Sequence, residues 1–172
     1  MGRATQAAWA AVVWGMLTGG VAAGPAPARR VYLSDSAARG AVERAILGAQ
    51  SRLGRPDCRL ILTDFADQAG HPLLANLEAT GLQPAVYAVE RIWFVDGTET
   101  PQCLKAQEMV AFTEAGSKVV HVCAARFTKA AQEGVAAEVL IIHELLHTLG
   151  LGENPPSSRD ITRRVTFRCG GS

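Results

Sequence analysis

The stretch Val139–Glu153, VLIIHELLHTLGLGE, constrains this chain more than any other. Val139, Leu140, Ile141, Ile142, Leu145, Leu146 and Leu149 are too dense for one helical stripe, so a helix here is apolar around its circumference and belongs inside the molecule. Within it His143 and His147 stand four apart, which sets their rings one turn above each other on one face. Glu144 lies beside the first. A buried polar group without a partner costs on the order of 1–3 kcal/mol, and an unpaired carboxylate more, so three in one buried helix require a common partner. Separate hydrogen-bond partners are the plainer alternative, but Glu is seldom buried without purpose, and two of the chain's four His fall at this one spacing. A metal ion chelated by His143 and His147, with Glu144 reaching a water held on it, satisfies all three.

Two imidazoles leave a catalytic metal one protein ligand short. Beyond His147 the conventional ligand side chains are Glu153, Asp160 and Cys169. Gly150 and Gly152 read as a helix C-terminus with a residue at positive φ, which turns the chain back and carries Glu153 towards the metal. Asp160 has another use, since Ser157 three residues before it resembles a capping box, and Cys169 has one as a disulfide partner. Glu153 is the expected third ligand, with His121 on an upstream strand in reserve.

The apolar helix with HExxH carries the zincin metalloprotease signature. His143, Glu144, His147, Gly150 and Glu153 together resemble the extended metzincin motif HExxHxxGxxH, with Glu in the place of the last His, and are most similar to its snapalysin-type variant. The resemblance covers about eleven residues. No Met follows Met109, so the chain lacks the Met-turn of that group. The resemblance implies an α+β zincin-like fold, with a mixed β-sheet packed on an N-terminal helix and a buried active-site helix.

At 172 residues the chain suits one domain with a sizeable core. Arg3, the apolar run Ala7–Leu17 and the small residues Val21-Ala22-Ala23 read as a secretory signal peptide over residues 1–23; an uncleaved membrane anchor is the alternative, but the run is short for a span and is interrupted by Gly15, Thr18, Gly19 and Gly20. Residues 24–30 form a Pro/Ala/Arg linker and 31–172 the expected domain. Without residues 1–23 the chain has 16 basic and 16 acidic residues and no charge run, which gives nucleic acid nothing to bind. The expected partner is a peptide or protein substrate of a monomer, with no membrane involved after signal cleavage. Cys58, Cys103, Cys123 and Cys169 form no CxxC pair, and an even number in an exported chain argues for two disulfides. Of three connectivities, Cys103 with Cys123 and Cys58 with Cys169 is preferred: the first closes the segment before the active-site helix, the second ties the C-terminal end to a core strand.

In chain order, Val31–Leu33 reads as a short strand. Ser34 or Ser36 caps a helix over Ala37–Leu53, with Val42, Ala45, Ile46, Ala49 and Leu53 at helical spacing. Arg59–Phe65 suits a core strand and Leu73–Thr80 a short helix. Val86–Val95 is the most strand-like segment by content. Met109–Thr113 fits either a short helix or an edge strand. Ser117–Phe127 alternates as a strand, and Thr128 is the expected N-cap of one long helix to Leu149. Asn154-Pro155-Pro156 should be extended, because a residue before Pro is pushed out of the α region. A last helix runs from Ser157 or Ser158 to about Arg168.

The expectation is a secreted or periplasmic zinc metallopeptidase with one catalytic Zn2+ on His143, His147 and Glu153, and Glu144 as general base. Two other classes stay open: a non-catalytic zincin-like binding or structural domain, for which Glu144 has no use, and a metal hydrolase acting on cell-wall peptide or another amide.

Overall fold

Asp35 opens the first long element. Its side chain accepts a hydrogen bond from the Ala38 amide at 2.8 Å and starts α1, Ser36–Leu53, so neither Ser34 nor Ser36 is the cap. The expected residues Val42, Ala45, Ile46, Ala49 and Leu53 are all buried on one side of α1. The structure, a computed structural model, describes residues 30–133 and 137–171. The expected signal peptide and all of the linker but Arg30 lie outside the described residues.

The fold is mixed α+β. Four short strands, β1 (Val31–Tyr32), β2 (Trp93–Asp96), β3 (Ala111–Phe112) and β4 (Val119–Val122), make one sheet in the order β1-β2-β4-β3. β1, β2 and β4 are parallel, in register through Val31 with Phe94 and Phe94 with Val120; β3 runs antiparallel to β4, with Phe112 opposite His121. Phe94, Val120 and Val122 are buried in the same apolar cluster as α1 and the motif helix α7, Ala137–Thr148. β3 takes the edge position, one of the two readings for its segment.

Several segments depart from the expected secondary structure. Arg59–Phe65 is not a strand: Pro56 at the first helical position starts α2, Pro56–Arg59, and a 3-10 turn, Leu60–Leu62, follows with Ile61 and Leu62 buried. α3, Leu73–Glu78, lies where a short helix was expected. Val86–Val95 divides: Pro84 opens α4, Pro84–Glu90, which buries Tyr87 and Ala88, and only β2 is extended. A short helix α5, Pro101–Lys105, precedes β3. Ser117–Phe127 is a strand only as far as Val122. There α6, Ala124–Gln132, begins with Cys123 as its N-cap, and Thr128 sits inside it, its hydroxyl donating to the Ala124 carbonyl at 3.0 Å. Two helices, α6 and α7, therefore stand where one was expected. Gly134 lies between them in sequence, and Gly costs a helix interior about 1 kcal/mol relative to Ala.

The last helix, α8 (Ser158–Cys169), has Ser157 as its cap, accepting from the Asp160 amide at 3.2 Å and donating to the Asp160 carboxylate at 2.6 Å. Asp160 is thus engaged by the cap, Ser157. Asn154 is not extended: its φ is 60°, a left-handed conformation that Asn tolerates better than most residues, and its amide donates to the Pro156 carbonyl at 2.8 Å. Both expected disulfides are present, Cys58–Cys169 and Cys103–Cys123, though Cys58 lies in α2 and not in a strand. Among the described residues no helix is long and apolar enough to cross a membrane.

Candidate metal centre

Every residue of α7 from Ile141 to Thr148 is buried, the three polar motif residues included. The His143 and His147 rings lie 5.0 Å apart between centroids, and their Nε2 atoms are 3.1 Å apart. The other ring nitrogens are held from behind. His147 Nδ1 is 2.8 Å from the Leu151 carbonyl, which can only accept; in the neutral ring Nδ1 therefore carries the proton and Nε2 presents a lone pair. His143 Nδ1 is 2.9 Å from the Thr162 hydroxyl on α8. Such outer partners fix ring orientation and tautomer in metal sites.

The turn after α7 brings in the third donor. Gly150 has φ 110°, its amide donates to the His147 carbonyl at 2.9 Å, and the Leu151 amide donates to the Leu146 carbonyl at 3.2 Å, which closes the helix end and sends the chain back. Glu153 then points its carboxylate at both rings, with Oε1 3.4 Å from His147 Nε2 and 3.7 Å from His143 Nε2. One donor atom from each of the three residues lies within 4.8 Å of the others. Two imidazole nitrogens and a carboxylate oxygen at this spacing fit a cation, so the group His143, His147 and Glu153 could hold a metal ion.

The electrostatics of the pocket point the same way. Burial, and then repulsion from His147, lowers the His143 pKa to about 3, so the ring stays neutral and able to ligate. Burial, and then the charge of Glu153, raises Glu144 to about 8. Glu144 Oε2 is buried without a hydrogen-bond partner, one of two such side-chain atoms among the described residues. The other is His121 Nδ1, on a ring stacked against Phe112 at 4.9 Å. His121, the reserve ligand, is outside the His143, His147, Glu153 group, and Cys169 is in its disulfide.

The site lies in an open cleft of about 990 Å3, lined by the β3 segment from Glu108 to Ala115, by Ser158, Arg159, Thr162 and Arg163 of α8, and by Gln68. Sequence reasoning found the donors and missed their supports. Nothing in the spacing of Thr162 marks it as a partner of His143, and a carbonyl such as that of Leu151 leaves no trace in sequence.

Fold and site together define an α+β protein with a candidate metal centre at the floor of a cleft. No protein-family model, curated protein or solved structure matches the chain.

Proposed function

We propose that the chain is a secreted, zinc-dependent metallopeptidase of zincin-like fold, with His143, His147 and Glu153 as the zinc ligands and Glu144 as general base. The observation that carries this reading is the convergence of the three donors beside the unpartnered, buried carboxylate of Glu144, on the floor of an open cleft. Two imidazoles and one carboxylate are a set that zinc takes in catalytic sites, where it lowers the pKa of its water to about 7 and polarises the substrate carbonyl.

Glu144 is adjacent to a ligand without being one, the place for a base that takes a proton from water and later hands it to the leaving amine. It must be ionised for the first step. Burial and the charge of Glu153 oppose that, and a cation held by Glu153 would offset the second cause and bring Glu144 towards the working range. The free edge of β3 borders the cleft, and an extended peptide can add to such an edge through main-chain hydrogen bonds. Two disulfides, and the signal-like residues 1–23, support an oxidising destination.

The test is Glu144→Gln. That variant keeps about one zinc per chain and loses about 10²–10⁴-fold in peptide hydrolysis, the range general acid–base catalysis supplies. Loss of the metal, or full activity, would overturn the role of Glu144. Running the same assay on peptidoglycan separates cell-wall peptide from protein as the substrate.

A further inference from the structure

Two of the three donors depend on one turn, Leu149 to Glu153. It carries Glu153 directly, and through the Leu151 carbonyl it orients His147. On its outer side this turn rests on a segment 73 or more residues earlier in the chain. Asn76 on α3 donates from one amide nitrogen to both the Leu149 carbonyl (2.9 Å) and the Asp67 carboxylate (2.9 Å). Asp67 is itself fixed, accepting from the Ala69 amide at 2.9 Å and the His71 amide at 2.8 Å. The approach is close: a Cβ on Gly150 would stand 3.0 Å from Asp67 Cβ, and one on Gly152 would stand 2.8 Å from the Gln68 amide nitrogen.

We infer that Asp67 and Asn76 are positioning residues for metal binding: the pair clamps the Leu149–Gly150 backbone and so sets where Glu153 and the His147 ring stand. The inference rests on the metal reading proposed above. α7 fixes only two ligands by its own periodicity, at positions four apart. The third sits five residues beyond the end of that helix, in a stretch where Leu149 and Leu151 are buried by apolar packing but Gly150, Gly152 and Glu153 are not. Without an external support, the turn samples orientations in which Glu153 leaves the rings, and metal binding loses the benefit of a preformed site. Neither Asp67 nor Asn76 lines the cleft, and neither side chain hydrogen-bonds to His143, His147 or Glu153. A role for them therefore runs through the turn.

The probe is zinc, measured by competition with a chelator, together with the visible spectrum of the Co2+-loaded chain, which reports ligand number and geometry. Asn76→Ala is expected to weaken zinc about 10–100-fold, the usual loss when an outer support of a metal ligand is removed. Its Co2+ spectrum should move in the direction that Glu153→Ala moves it. Thr80→Ala is the control, because it removes a hydroxyl bond to the Leu77 carbonyl at the end of the same helix and leaves the turn alone. It should leave affinity and spectrum at the parent values. Should Asn76→Ala not fold, Asp67→Asn carries the same test: it can keep an acceptor for the Ala69 and His71 amides but turns a donor towards Asn76. A parent chain that binds zinc while Asn76→Ala, or Asp67→Asn in its place, matches it in both readouts overturns the clamp alone. A parent that binds no zinc overturns the metal reading and the clamp with it.

Discussion

At the scale of single residues, two of the buried groups of the motif, His143 and Glu144, pull the stability of the metal-free protein in opposite directions. His143 has a folded pKa of about 3 against an ordinary 6.5, so between those values the unfolded chain takes a proton that the folded one refuses, and stability rises with pH. Glu144 has a folded pKa of about 8 against an ordinary 4.5, so between those values the folded chain keeps a proton that the unfolded one loses, and stability falls with pH. The two slopes cancel between about 4.5 and 6.5 and leave a net decline from there to about 8. A bound cation stabilises the folded state according to its affinity; His143 is already neutral at pH 5, so that affinity grows towards pH 8 as Glu144, beside the cation, gives up its proton. The expected outcome is that zinc raises Tm more at pH 8 than at pH 5, against a chelated sample whose Tm falls between pH 6.5 and 8. Equal zinc shifts at both pH values would contradict a cation bound beside the Glu144 carboxylate.

At the scale of elements, the turn after α7 makes a sharper comparison than any helix. Gly150 and Gly81 both have positive φ, 110° and 70°, so Ala at either one meets the same kind of backbone penalty, about 1–2 kcal/mol. Only at Gly150 does a Cβ also press on the clamp, 3.0 Å from Asp67 Cβ, whereas at Gly81 nothing lies within 4 Å. Both Ala variants should show a lowered denaturant midpoint, and Gly150→Ala alone should bind zinc more weakly. This turn was legible in sequence because glycines after an apolar helix have one common meaning. The segments Arg59–Phe65 and Val86–Val95 were not, because a short apolar run fits a buried helix as well as a strand. Pro56 and Pro84 decided both: each stands at the first position of a helix, where its missing amide hydrogen costs nothing. The long helix expected from Thr128 failed for a related reason. Phe127 and Ala130 are buried at helical spacing and bring the start of α6 forward to Ala124, ahead of the supposed cap. The donors of the site could be read because their spacing is local. Asp67, Asn76 and Thr162 could not, since tertiary packing alone brings them there.

At the scale of the whole molecule, the two disulfides hold different things. Cys58–Cys169 spans 111 residues and ties α2 to the end of α8, where Arg52 and Arg55 also donate to the Cys169 carbonyl. Cys103–Cys123 spans 20 residues and closes the segment that contains β3 and β4, so it braces the cleft wall formed by Glu108 to Ala115. Chain entropy assigns the long loop about 4–5 kcal/mol and the short one about 3 kcal/mol, both large against a net stability of about 5–15 kcal/mol. Replacing Cys58 and Cys169 by Ser should therefore lower the denaturant midpoint more than replacing Cys103 and Cys123. Peptide hydrolysis by the fraction that stays folded should follow the reverse order, because the short bridge borders the cleft and the long one ends at Cys169, seven residues along α8 from Thr162. The two measurements are independent. If the short bridge dominates stability, loop entropy is not what the long bridge supplies; if its loss leaves hydrolysis untouched, the β3 wall does not hold the substrate.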